Sequence, residues 1–176
     1  MHEAKLLKKF IITGPESSGK TTIVQALCNQ YGKSYRPEFA RKFLSAKNER
    51  YALEDLTEIA KGQLAIENEL VRLESDFIIL DTDLLTIKIW SEVRFNFFNP
   101  NLSTILESYC LRHYLVCTPE IPWEVDPLRE HPQKRAWLYS KYIEALDYYG
   151  FSYDVISGKT ATQRIASAKH IITNNI

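Results

Sequence analysis

The stretch Phe10-Ile11-Ile12-Thr13-Gly14-Pro15-Glu16-Ser17-Ser18-Gly19-Lys20-Thr21-Thr22 decides the fold of this chain. Phe10 to Thr13 is a short apolar run with β-branched side chains, the pattern of a buried strand, and in Lys20 to Tyr31 the apolar residues Ile23, Val24 and Leu27 recur at helical spacing. Between them, Gly14 to Thr21 fits G-x-x-x-x-G-K-[ST], the phosphate-binding loop pattern. An ordinary Gly/Ser turn shares some of these residues but does not require a strand before it and a helix after it. In a loop of this kind the backbone N–H groups of Gly14, Glu16, Ser17, Ser18 and Gly19 form a concave nest, and the following helix adds its positive end. Lys20 is then expected to bridge the β- and γ-phosphates, Thr21 to offer its hydroxyl to Mg²⁺, and Thr22 to reach the α-phosphate. The ligand class is a nucleoside triphosphate (NTP) with magnesium, an ion that prefers octahedral oxygen ligands and keeps several waters.

Composition fits a compact enzyme of one domain spanning 1–176. At 176 residues the chain is large enough to remove about 70% of its unfolded surface from water. Its 22 basic and 22 acidic residues cancel, so no net field favours nucleic acid or an anionic membrane. The lysine-rich start, Met1 to Lys9, precedes only a brief apolar run, too short for a signal sequence or a membrane span. Cys28, Cys110 and Cys117 are odd in number and lack C-x-x-C spacing, which points to reduced thiols in a cytoplasmic protein, each a small core residue.

Strand-like runs recur at Phe10 to Thr13, Phe77 to Leu80, Tyr114 to Cys117 and Tyr153 to Ile156, with a weaker one at Ser34 to Arg36. Helical patterns cover Glu38 to Leu44, Leu53 to Leu73, Leu84 to Val93, Leu102 to Leu111, Pro132 to Tyr149 and Thr160 to Ile172. Alternation of this kind predicts a three-layer α/β fold with a five-stranded parallel sheet covered on both faces. Ligands gather at the carboxyl ends of such strands, so the residues just after each strand carry the chemistry.

After Phe77 to Leu80 comes Asp81-Thr82-Asp83. A carboxylate in this place meets Mg²⁺ directly or through its water. Asp81 is expected to face the metal, and Asp83 either the acceptor or the start of the next helix, where it would act as a cap. After the weak strand comes Pro37-Glu38-Phe39-Ala40-Arg41; on a helix Glu38 and Arg41 share a face and form a surface ion pair, or Glu38 activates an acceptor hydroxyl with Arg41 holding it. The proline-rich loop of about 119–135 carries Trp123, Arg129 and Arg135 among charges of both signs. It is either a solvated loop or a lid that brings arginines to the transferring phosphoryl group and excludes water, as a kinase needs and an ATPase does not. The last inter-element turn, Ser157-Gly158-Lys159-Thr160, is placed to wall the adenine with backbone atoms, and reads equally as a plain helix entry.

Taken in order, Gly14 to Thr21, Pro37 to Arg41, Asp55 with Ile59-Ala60-Lys61-Gly62-Gln63, Asp81-Thr82-Asp83, Ile121-Pro122-Trp123 with Asp126 and Arg129, and Gly158 with Arg164 resemble the ribosylnicotinamide kinase domain of bifunctional NadR-type proteins, classed among AAA-like P-loop proteins. The resemblance runs from Phe10 to about Ala168. It implies ATP-dependent phosphorylation of the 5′-hydroxyl of N-ribosylnicotinamide to nicotinamide mononucleotide. It also implies that Glu38 activates the hydroxyl, that Asp83, with Arg41 or Gln63, holds the ribose, and that an aromatic residue, with Trp123, Trp90, Tyr35 and Phe39 as candidates, meets the cationic ring through cation–π attraction of roughly 0.5–2 kcal/mol. Aromatic residues at these spacings serve equally as core. The histidines at 2, 113, 131 and 170 form no H-x-G-H adenylyltransferase motif, so the reaction is expected to stop at the mononucleotide, a partner enzyme completing NAD. Two other readings remain open: a kinase for another nucleoside or small alcohol, and an ATP-dependent regulatory switch. No [NT]-K-x-D base-reading tetrad argues for a GTPase.

Overall fold

Strands β1 (Lys8–Thr13), β2 (Phe77–Asp81), β3 (Arg112–Cys117) and β4 (Ser152–Ile156) pair in parallel in the order β2-β1-β3-β4. The register sets Phe10 beside Ile79 of β2 and His113 of β3. This computed structural model describes residues 7–47, 51–126, 129 and 132–176. His2 and the loop residues Pro127, Leu128, Glu130 and His131 lie outside the described residues.

Seven helices accompany the strands among the described residues: α1 (Lys20–Tyr31), α2 (Phe39–Ser45), α3 (Leu53–Leu73), α4 (Leu84–Phe95), α5 (Pro100–Glu107), α6 (Arg135–Tyr149) and α7 (Ala161–Asn175). Parallel strands require crossovers, and the side-chain alternation of each strand sorts these helices into two layers. Phe10 and Ile12 of β1, Phe77 and Ile79 of β2, and Leu115 and Cys117 of β3 share one core with Ile23, Val24 and Leu27 of α1 and Ala168 and Ile172 of α7. Ile11, Ile78, Leu80, Tyr114 and Val116 point the other way, into a larger core with α3, α4, α5 and α6. The result is the three-layer P-loop kinase-like architecture anticipated above.

The sheet differs from expectation in one respect: among the described residues it has four strands, not five. Residues 34–36 belong to no helix or strand and enter no ladder. Side chains of α3 and its C-cap hold them instead. The Ser34 N–H donates to Glu74 Oε1 at 2.8 Å and Arg36 forks onto Glu69. Pro37 follows, with no N–H for a ladder. Cys28 and Cys117 are buried as expected, whereas Cys110 is exposed, because α5 stops at Glu107 and leaves residues 108–111 as a connection.

Helix α2 docks on α3 through a gap made by glycine. A Cβ at Gly62 would sit 2.4 Å from ring atoms of Phe39, the first residue of α2. An exposed Gly→Ala change inside a helix normally stabilises by about 0.5–1 kcal/mol. Here Gly62→Ala is expected to destabilise by about 1–3 kcal/mol, the cost of overpacking, with α2 displaced. A urea melt that shows Gly62→Ala more stable than wild type would contradict this docking.

Candidate active site

The loop after β1 closes against β3. Gly14 has φ 128°, and a Cβ there would lie 2.7 Å from the Cys117 carbonyl oxygen, so only glycine fits. The loop holds its own shape: Ser18 Oγ donates to the Pro15 carbonyl at 2.7 Å, and Lys20 Nζ donates to the carbonyls of Gly14 and Pro15 at 3.0 and 2.8 Å. Gly19, at φ 80°, caps α1 and starts the helix with its N–H groups towards the loop. At the same end, Thr21 Oγ1 donates to Asp81 Oδ2 at 2.8 Å. Asp81 Oδ1 is buried with no hydrogen-bond partner. A hydroxyl and a carboxylate side by side, the latter with an unsatisfied oxygen, is a donor set that suits a hard divalent cation completing its shell with phosphate and water.

A cavity of about 350 Å³ opens over this loop. Of the expected nucleotide ligands, Glu16, Ser17, Ser18, Gly19, Lys20, Thr21 and Thr22 line it; of the expected acceptor and lid residues, Glu38, Arg41 and Arg129 do. Glu38 is the N-cap of α2, half-buried, and lines the cavity. Burial, reinforced by the neighbouring Asp81 charge, pushes its pKa up to about 7, against the pull of Lys20, a hydrogen bond from Thr82 and Arg41. Burial raises Asp81 as well, offset by Thr21 and Lys20. A carboxylate poised near neutrality on a phosphate cavity is the state general-base chemistry requires.

The loop after β3 covers the phosphate loop, and Ser17 is where they meet. The Glu124 N–H donates to Ser17 Oγ at 2.9 Å, Arg129 Nη1 donates to the same oxygen at 3.1 Å, and Arg135 Nη1 donates to the Ser17 carbonyl at 3.1 Å. Arg135 also grips the Ile121 carbonyl, at 2.9 Å through each terminal nitrogen. Burial and the charges of Arg164 and Arg129 work against the Arg135 charge and lower its pKa. Cations crowded together in this way favour a polyanion beside them.

Several expected site residues sit elsewhere. Asp83 is 1% exposed and lies outside the cavity wall; its oxygens accept from the Leu85 N–H at 3.0 Å, Arg112 at 3.1 Å and Tyr114 at 2.7 Å. Of the two roles open to it, Asp83 takes the helix start, as the N-cap of α4, and is buried away from the cavity that an acceptor would enter. Gln63 is also turned inward: Oε1 accepts from the Phe39 N–H at 3.0 Å, and Nε2 donates to the carbonyls of Asp81 and Thr82 at 3.3 and 3.1 Å, so no ribose contact remains to it. Arg41 makes its ion pair with Asp126 at 2.9 Å rather than with Glu38. Trp123, Arg135 and Gly158 do not line the cavity; the Trp123 ring faces the guanidinium groups of Arg129 and Arg135, at 5.9 and 5.8 Å.

Arg164 is the main residue whose place the sequence does not betray. It is 1% exposed and spends its donors on backbone and hydroxyl oxygens: Gly158 at 2.7 Å, Ser18 at 3.0 Å, and the Thr118 carbonyl and hydroxyl at 2.9 and 3.0 Å. One arginine thus ties the phosphate loop to the turns after β3 and β4. Lys159, Glu124 and Trp90 join it on the cavity wall. A helix-entry arginine has no local signature that separates a buried strut from a surface charge.

A family model described as an AAA domain matches residues 9–164. The trifunctional NAD biosynthesis/regulator protein NadR of Escherichia coli (strain K12) is 25% identical over 127 residues, which are 70% of this chain and 31% of that protein. The chain therefore spans about a third of the length of this curated relative. Among solved structures, the NadR protein in complex with NR superposes with a TM-score of 0.78 at 17% identity, covering 95% of this chain and 50% of that one. The NadR protein in complex with NAD and AMP-PNP gives 0.76 at 18% identity, covering 95% of this chain and 49% of that one. Deoxyadenosine kinase from M. mycoides with bound dATP gives 0.58 at 15% identity, covering 94% of this chain and 99% of that one. With the match running from the middle of β1 into α7, the chain belongs to the AAA-domain family of P-loop proteins.

Proposed function

We propose that this protein is an ATP-dependent kinase that phosphorylates the 5′-hydroxyl of N-ribosylnicotinamide to give nicotinamide mononucleotide. The observation that carries the reading is the placement of Glu38, with a pKa of about 7, on the same cavity as the phosphate loop. Similarity to a NadR protein in complex with NR supports the choice of nucleoside. A NadR protein in complex with AMP-PNP and a deoxyadenosine kinase with dATP support the choice of donor.

In this mechanism the loop N–H groups and Lys20 hold the β- and γ-phosphates. Thr21 and Asp81 would hold Mg²⁺, which supplies charge neutralisation between those phosphates when bound. Glu38 takes the proton of the acceptor hydroxyl as its oxygen bonds to the γ-phosphorus and the bond from that phosphorus to the bridging oxygen breaks, leaving ADP. Arg129, drawn against Ser17 by the covering loop, lies on the cavity wall where equatorial charge develops. The same loop keeps water from competing with the acceptor.

The test is phosphoryl transfer from ATP/Mg²⁺ to ribosylnicotinamide, beside adenosine, uridine and no acceptor, with the product identified directly. Mononucleotide formed well above the ATP loss of the control is expected; hydrolysis indifferent to every acceptor would overturn the proposal. Lys20→Ala should abolish turnover, and Glu38→Gln should lower kcat by about 10²–10⁴-fold. Because Glu38 accepts a proton only when ionised, kcat/KM should fall as pH drops through about 7. Stability runs the other way: the folded pKa of about 7 lies above the ordinary 4.5, so the folded chain holds the extra proton and loses stability as pH rises through 7. Ligand-free Glu38→Gln should thus match wild type near pH 5 and melt about 2–8 °C higher at pH 8. A melting difference that does not grow with pH would contradict the buried-carboxylate assignment.

A further inference from the structure

Thr82 is the residue between the two aspartates, and its backbone is held where threonine is disfavoured. Its φ is 65°, in the left-handed region that a β-branched side chain rarely enters. Hydrogen bonds fix every polar group of the residue: the N–H donates to the Ile12 carbonyl at 3.1 Å, the carbonyl accepts from Gln63 Nε2 at 3.1 Å, and Oγ1 donates to Glu38 Oε1 at 3.1 Å. Gln63 closes the arrangement, since its Oε1 accepts from the Phe39 N–H, the next residue after Glu38. The strained residue, the glutamine and the start of α2 therefore form one clamp on the edge of the cavity.

We propose that Thr82 is a positioning residue for phosphoryl transfer: its left-handed backbone aims its hydroxyl at Oε1 of Glu38 and so leaves the other carboxylate oxygen to the acceptor. This rests on the reading of Glu38 as the base. A strained conformation persists only where its surroundings over-determine it, and such sites cluster where strain serves function. Relief of the strain should therefore raise stability while removing activity, a combination that a purely structural threonine would not give. Glu38 is the N-cap of a short helix and gains no side-chain bond to its own helix, so an external donor is what orients it.

The test compares Thr82→Gly, which fits φ 65° without strain and lacks the hydroxyl, with Thr82→Ser, which keeps it. With ATP/Mg²⁺ and ribosylnicotinamide, Thr82→Gly should melt at or above the wild-type temperature yet lose about 10–100-fold in kcat, with both KM values within about twofold. Thr82→Ser should restore kcat to within a few-fold of wild type, and Thr82→Gly in a Glu38→Gln background should cost nothing further. If Glu38→Gln is impaired but Thr82→Gly turns over like wild type, the positioning role falls and the base reading stands. If Glu38→Gln is fully active, the base reading falls and takes this role with it. Crystal structures of both proteins test the link without catalysis: a Glu38 carboxylate that keeps its place in Thr82→Gly overturns the inference whatever the substrate.

Discussion

Strand β1 pairs with β2 on one edge and β3 on the other and is covered by helices on both faces, and this enclosure sets the rest of the molecule. A chain leaving the middle of such a sheet has no lateral exit. It turns at the strand's carboxyl end, tightly enough that Gly14 rests on the Cys117 backbone, and continues as a helix whose apolar side returns to the sheet. The turn then carries the unpaired N–H groups of a helix start in a concave loop, a polarity that favours phosphate. Anion affinity here follows from the packing of one strand.

Enclosure has an electrostatic counterpart at the next strand. Asp81 and Asp83 are separated by one residue, and strand alternation alone would put them on the same side. The left-handed Thr82 breaks that alternation. Asp81 stays towards Thr21, while Asp83 turns to Arg112 and Tyr114 in the other core. Arg112 is shared with Glu67 at 2.5 Å, and Glu67 with Lys9 at 2.7 Å, so the charge buried with Asp83 is neutralised within the protein. Asp81 and Glu38 are each held above their ordinary pKa by burial, against the opposing pull of Lys20 and Arg41. One aspartate of the pair is thus consumed by the fold, and the other keeps an oxygen with no hydrogen-bond partner among the described residues.

On the far side of the phosphate loop the cations gather. Arg129, Arg135 and Arg164 anchor on backbone or hydroxyl oxygens of the loop itself, with Ser17 and Ser18 as their acceptors. Arg129 also has the carboxylates of Glu124 and Asp126 at 3.6 and 3.8 Å, and Arg164 that of Glu120 at 3.8 Å, so part of this charge is offset within the protein. Lys20 and Arg41 both act on the carboxyls of Glu38 and Asp81, and Glu16 and Glu124 share the cavity wall with Arg129 and Arg164.

Much of this was legible in the chain. Gly14 to Thr21 specified a strand–loop–helix unit because the glycines, lysine and threonine act locally, and apolar periodicity placed the four strands and the long helices within a few residues. The pairing of a strand-like run is not local, so Ser34 to Arg36 resembled a strand although the Ser34 N–H goes to Glu74 at the C-cap of α3 and the Arg36 side chain to Glu69. The same limit applied to charge. Arg41, Gln63 and Asp83 are polar residues near the right strands, but which way each points depends on partners remote in sequence, Asp126, Phe39 and Arg112 among them. Arg164 was unreadable for the converse reason, since burial of a charge is decided by carbonyls that only folding gathers. By itself the sequence determined the phosphate-loop unit and the alternation of parallel strands with helices, both consequences of short-range backbone conformation and side-chain period. Tertiary structure alone decided the strand order and which carboxylates enter a buried ion-pair network rather than being held up by burial, because desolvation and Coulomb forces depend on distances through space.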